Sequence, residues 1–106
     1  MSNITQTISN NSNLALSQNS KITNLVISSI NTEQSYNLQN NLKQIIIRCR
    51  GIADLQIAFT INESGTNYIT IPKRTTFLLG DINFSSKTLY VKADVAAQTV
   101  EILELY

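Results

Sequence analysis

From residue 42 onward apolar and polar side chains change places at almost every step, a period of two that suits a half-buried strand and that a helix cannot use. Ile45, Ile47 and Cys49 fall on one face, and Ile46, Arg48 and Arg50 on the other. Leu55, Ile57, Phe59 and Ile61 then alternate with Asp54, Gln56, Ala58 and Thr60, so one aliphatic face enters a core and the opposite face stays wet. Two such strands in succession predict antiparallel pairing. Helical segments would repeat their apolar positions every three or four residues. Residues 93–97 offer one helical turn at most.

Turn chemistry divides the strand patterns. Gly51 releases the chain from regular geometry after the Arg48 strand, and residues 62–65, Asn-Glu-Ser-Gly, supply a reversal. A brief strand over 68–71 must end at Pro72, which has no ladder donor; residues 75–79 form another before Gly80 and Asp81. The last part reads as a hairpin. Leu89, Val91, Ala93 and Val95 alternate with Tyr90, Lys92 and Asp94, and Val100 and Ile102 with Glu101 and Leu103; pairing them brings Lys92 towards Glu101. Upstream, Leu25 and Ile27 point one way and Val26 and Ile30 the other, and β-branched content favours a strand. Tyr36 and Leu38 give a further short alternation, with Asn40 and Asn41 as a turn. Residues 1–20 are dominated by Ser, Asn, Thr and Gln, interrupted by Ile4, Ile8, Leu14 and Leu16. So few apolar groups do not offset the ordering cost alone, which leaves an arm docked on another subunit, a peripheral strand, or disorder.

A chain of 106 residues suffices for one domain with a thin core, which oligomerisation would reinforce. Eight cations against seven anions supply no field for a dedicated nucleic-acid binder, and no apolar run approaches a membrane span. There is no histidine and one cysteine, Cys49, so a four-ligand zinc set and a thiol–imidazole pair have no residues to build them; Cys49 reads as a small buried residue. Asp54, Glu63, Asp81, Asp94, Glu101 and Glu104 are the carboxylates from which a glycosidase pair would be drawn, but most sit at strand ends or on the polar side of alternating strands. Loops containing Asn62, Glu63, Asp81 and Asn83 carry oxygen ligands without the spacing of a calcium loop. No catalytic, cofactor or metal residue is assigned. Arg48, Arg50, Lys73 and Arg74 are the candidate contacts to a protein partner, and Tyr68 and Tyr90 are the aromatic candidates for a glycan face.

The segments at 48–60 (Arg-Cys-Arg-Gly-Ile-Ala-Asp-Leu-Gln-Ile-Ala-Phe-Thr), 65–71 (Gly-Thr-Asn-Tyr-Ile-Thr-Ile), 87–93 (Lys-Thr-Leu-Tyr-Val-Lys-Ala) and 99–104 (Thr-Val-Glu-Ile-Leu-Glu) resemble the small all-β structural proteins of tailed-bacteriophage virions. The resemblance covers roughly residues 42 to 106; the polar amino-terminal region departs from it. It implies a particle component without catalytic residues: a capsid decoration or cement protein, or a part of the head–tail or tail apparatus. Asp54, Phe59, Tyr68, Leu89, Tyr90, Glu101 and Ile102 carry over as fold-pattern positions only.

The expectation is therefore an all-β chain, an antiparallel, jelly-roll-like β-sandwich over residues 21–106 with a polar arm or peripheral strand over 1–20. Its expected role is non-enzymatic and needs no cofactor. Its expected partners are major capsid subunits or other virion proteins and further copies of itself, on the capsid surface, after assembly in the host cytoplasm. A glycan-binding or host-attachment module and a connector or tail component are the alternatives.

Overall fold

The computed structural model describes residues 19–106; residues 1–18, on which most of the expected arm falls, lie outside the described residues. The described chain forms strands β1 (Ser20–Ile27), β2 (Gln34–Asn37), β3 (Gln44–Cys49), β4 (Leu55–Ala58), β5 (Ile69–Ile71), β6 (Thr76–Leu79), β7 (Thr88–Ala93) and β8 (Gln98–Leu105). They make two four-stranded sheets, in the orders β1-β8-β3-β6 and β2-β7-β4-β5. Every neighbouring pair is antiparallel. The result is an all-β, two-sheet body consistent with a β-sandwich.

Alternation correctly assigns most faces. Ile45 and Ile47 of β3, Leu89 and Val91 of β7, and Val100 and Ile102 of β8 are all fully buried, and residues of both sheets join in one apolar cluster. Cys49 is buried in that cluster, its Sγ 3.5 Å from Gln98 Oε1. Ile27 is buried while Val26 and Ile30 are exposed, as the split faces of that segment require. Pro72 follows β5 directly.

Pairing differs from expectation. β7 and β8 do not form a hairpin: β7 lies between β2 and β4, and β8 between β1 and β3. Residues 94–97, with Ala97 at φ 57°, carry the chain from one sheet to the other. The buried faces of β7 and β8 therefore belong to opposite walls of the same core. Lys92 pairs with Gln56, whereas Glu101 stands between Asn24 and Arg48, so the expected Lys92–Glu101 proximity is not formed. The same holds for β3 and β4, successive in sequence and in different sheets. Alternation reports which face is buried; strands meeting face to face across a core carry the same pattern as strands meeting edge to edge. β4 also ends at Ala58, leaving Ile61 61% exposed, while Phe59 packs edge-on against Phe84 with ring centroids 5.5 Å apart.

Polar composition has a use in the turns. Asn31, Asn41, Asn62 and Asp81 adopt positive φ, a region that short polar side chains tolerate better than most. Gly51 does not have positive φ; a Cβ there would stand 2.0 Å from Gln98 Oε1, so a larger residue would displace the end of that flexible side chain, the acceptor of the Ile52 N–H.

Candidate functional site

The outward face of the β1-β8-β3-β6 sheet is built from alternating residues whose partners the register fixes. Ile22 is opposite Leu103, Leu103 opposite Ile46, and Ile46 opposite Leu78, so four apolar side chains form one row across all four strands. Ile22 is 73% and Leu78 57% exposed. The next row is Asn24, Glu101, Arg48 and Thr76. A shallow depression of about 280 Å3 lies where the two rows meet, lined by Ile22, Ile46, Arg48, Glu101, Ile102 and Leu103.

Glu101 is held from both sides. Arg48 Nε is 2.8 Å from its Oε1 and Arg50 Nε 3.0 Å from its Oε2. Both guanidinium groups are more than half exposed, so the pairs add little to stability, but they orient two planar donors at the margin of the apolar row. Lys73 and Arg74 follow β5 on the way to β6. Since Arg48 pairs with Thr76, Arg74, two residues earlier, comes to the same end of the sheet as Arg50. Lys73 also donates its backbone N–H to Asp54 Oδ1 at 2.7 Å.

The tyrosines occupy the other sheet. Tyr90 pairs with Ala58. Tyr68, just before β5, lines a depression of about 390 Å3 with Ala58, Phe59, Asn67 and Ile69. Tyr68 is 41% exposed and Tyr90 half-buried. Both flank Ala58, but Tyr90 does not line the depression.

The acids act largely as structural acceptors. Asp94 Oδ1 takes the Asp54 N–H at 2.8 Å, and Glu63 Oε1 the Asn67 side-chain amide at 2.9 Å. Glu33, which no motif singled out, accepts from Asn62 N at 3.0 Å, Ser64 N at 3.3 Å and the Ser64 hydroxyl, tying the 62–64 turn to the start of β2. The Ser64 hydroxyl bond, helped by the two backbone donors and Lys92 against an opposing effect of burial, holds its carboxyl below the usual range.

The arrangement least visible in the sequence joins the two sheets. Glu104 of β8 is fully buried and accepts from the Tyr36 hydroxyl of β2 and from Gln39 N at 2.7 Å. Since Tyr36 donates its one proton to Glu104, the Thr23 hydroxyl of β1, 2.9 Å away, donates to Tyr36. One signal was available: Glu104 shares the phase of Val100 and Ile102, which places it on the core side.

Burial, followed by the Glu104 hydrogen bond, pushes the Tyr36 phenol up to about 12 from its ordinary value of 10.0. The folded state therefore retains this proton after the unfolded chain has lost it. The contribution is complete below pH 10 and is lost as pH rises towards 12. We expect the wild-type chain to lose about 1–2 kcal/mol more than Tyr36→Phe across that interval, discounting the shift for the partly solvated ring. Parallel urea titrations at pH 9.5 and 11.5 measure the difference; identical slopes would refute the coupling.

Comparison with protein-family models and with curated proteins returns no match for this chain.

Proposed function

We propose that this chain is a jelly-roll structural protein of a bacteriophage particle, binding major capsid subunits through the outward face of the β1-β8-β3-β6 sheet and stabilising the shell without catalysing a reaction. The strand orders β1-β8-β3-β6 and β2-β7-β4-β5 support the jelly-roll reading, since consecutive strands, apart from the paired β4 and β5, pass between two four-stranded sheets in the manner of paired Greek keys. Jelly rolls recur in viral capsid and lectin domains. The resemblance of residues 42–106 to virion proteins favours the former.

One observation carries the assembly role: the Ile22–Leu103–Ile46–Leu78 row, with Arg48, Arg50 and Glu101 along one margin. An apolar centre with an oriented polar rim is the anatomy of a protein interface. Guanidinium groups present rigid forks to a partner's carboxylates. Repetition around a symmetric shell multiplies modest individual contacts, and further copies of the chain add to the same effect. Engagement of the acids as structural acceptors supports a non-enzymatic role.

Co-sedimentation with emptied particles of the phage that encodes the chain tests this reading, with Leu78→Asp and Arg48→Glu as variants. Both substitutions lie on the outward face, so melting temperature should stay within a few degrees while particle occupancy falls at least tenfold, about 1.4 kcal/mol or more per site. Full occupancy by both variants would reject the face. Absence of the protein from particles would reject the role.

The depression at Tyr68 and Asn67 favours a second reading, glycan binding for host attachment. Saccharide retention lost on Tyr68→Ala, without binding to shells, would favour it. Density at the portal or tail in particle maps would favour a connector or tail location.

A further inference from the structure

Three of the four sheet edges are short. β2 and β6 have four residues each, and β5 has three before Pro72. β1 has eight, in unbroken register with β8 from Ser20↔Leu105 to Ile27↔Gln98, and among the described residues no strand lies on its other side. Asn19 and Tyr106 exchange both backbone hydrogen bonds, at 2.9 and 3.0 Å. Such mutually bonded pairs alternate along an antiparallel ladder, so the odd-numbered residues of β1 face β8. Ser20, Ile22, Asn24 and Val26 turn their N–H and C=O groups to the open edge. All four are exposed, Ile22 at 73% and Val26 at 57%. Proteins ordinarily blunt such an edge with proline, a bulge, brevity or several charges. β1 has no proline, keeps its register, and carries one charge, Lys21, near its end.

We propose that β1 pairs antiparallel with the β1 of a second copy of this chain, Asn24 opposite Asn24, joining two four-stranded sheets into one continuous sheet. The segment is self-complementary in that register. Ile22 lies opposite Val26 twice, the two Asn24 amides meet on the axis, and Lys21 falls opposite Ile27 and away from its own copy. A two-fold interface needs this reciprocity. No acid or second cation in β1 favours a charged partner instead. The inference rests on the oligomeric part of the proposed function and is independent of any capsid subunit.

Sedimentation equilibrium on the full chain tests it at up to about 200 μM, because an edge of this length buries less than the roughly 1,200 Å2 of a standard interface. The mass should rise with concentration towards twice the 11.8 kDa of one chain. Asn24→Pro removes an N–H that faces only the open edge, and Val26→Lys adds a cation on each side of the join; each should weaken association at least tenfold while leaving the monomer folded. Asn24→Cys should cross-link to itself with oxidised glutathione, since a mutually bonded pair brings Cα atoms to about 5.5 Å, within disulfide reach. A full chain that stays monomeric, or a dimer unaffected by both Asn24→Pro and Val26→Lys, would overturn the proposal. So would dimerisation that appears only after deletion of residues 1–18, because the chain's own leading segment would then fill the edge. Dimerisation without particle binding would support this interface and reject the capsid role; particle binding by a strict monomer would do the reverse.

Discussion

Glu104→Ala should destabilise the domain by about 3–5 kcal/mol, a large fraction of the roughly 5–15 kcal/mol available to a body of this size. Three losses coincide. The buried side chain leaves a void beside Val100 and Ile102, whose face it shares; Gln39 N loses its 2.7 Å acceptor; and the Tyr36 hydroxyl loses the acceptor that positions it between Thr23 and β8. Each donor left unpaired costs about 1–3 kcal/mol where water cannot replace the bond. Glu104→Gln keeps the volume and one acceptor, so its cost should be nearer 1–2 kcal/mol. Combining Glu104→Leu with Tyr36→Phe removes an acceptor and its donor together and fills the space. That pair should recover at least 1 kcal/mol relative to the sum of its single variants, a coupling expected for direct contact. Urea denaturation of the set measures all of these, and a Glu104→Ala chain within 1 kcal/mol of wild type would show that the carboxylate does not tie the sheets together.

The contrast between Glu101 and Glu104 shows what alternation reveals and what it withholds. Both acids lie on β8, and the period of two separates them: Glu101 falls outside with Leu103, and Glu104 inside with Val100 and Ile102. What satisfies a buried carboxylate depends on residues that the fold brings from elsewhere. Tyr36 is 68 positions away in sequence, and its own segment gives only a two-residue alternation. Strand neighbours were less legible for the same reason. β7 and β8 follow one another with matching patterns, yet neither strand encodes whether the chain turns in the plane of a sheet or crosses the core. In the fold β2 and β4 flank β7, β1 and β3 flank β8, and the connection between β7 and β8 includes Ala97 at φ 57°. Arg48 and Arg50 were identifiable as a pair on one face, but their shared hold on Glu101 required β3 and β8 to be neighbours. Only the register with Leu103, Ile46 and Leu78 makes Ile22 the end of a row. Glu33 had no signal of its own, since its partners lie in a turn about thirty residues away.

Ile102→Ala should cost about 3–4 kcal/mol, while Ile22→Ala should cost under about 0.5 kcal/mol although the same atoms are deleted. Ile102 is fully buried on a central strand, opposite Thr23 on one side and Ile47 on the other. Its cluster includes Leu55, Leu89 and Val91 of the second sheet, so its removal leaves a cavity that both walls would have to move to close. Ile22 is already mostly in water, and truncating it returns little surface to solvent. Denaturant midpoints with unchanged m-values would establish the difference as one of stability; equal costs at the two positions would contradict the burial of one face against a second sheet. The same pair separates folding from association, because Ile22→Ala should fold like the parent and lose affinity for whatever covers the outward row. Ile102→Ala should bind in proportion to the fraction that remains folded, since its side chain supports the face from beneath.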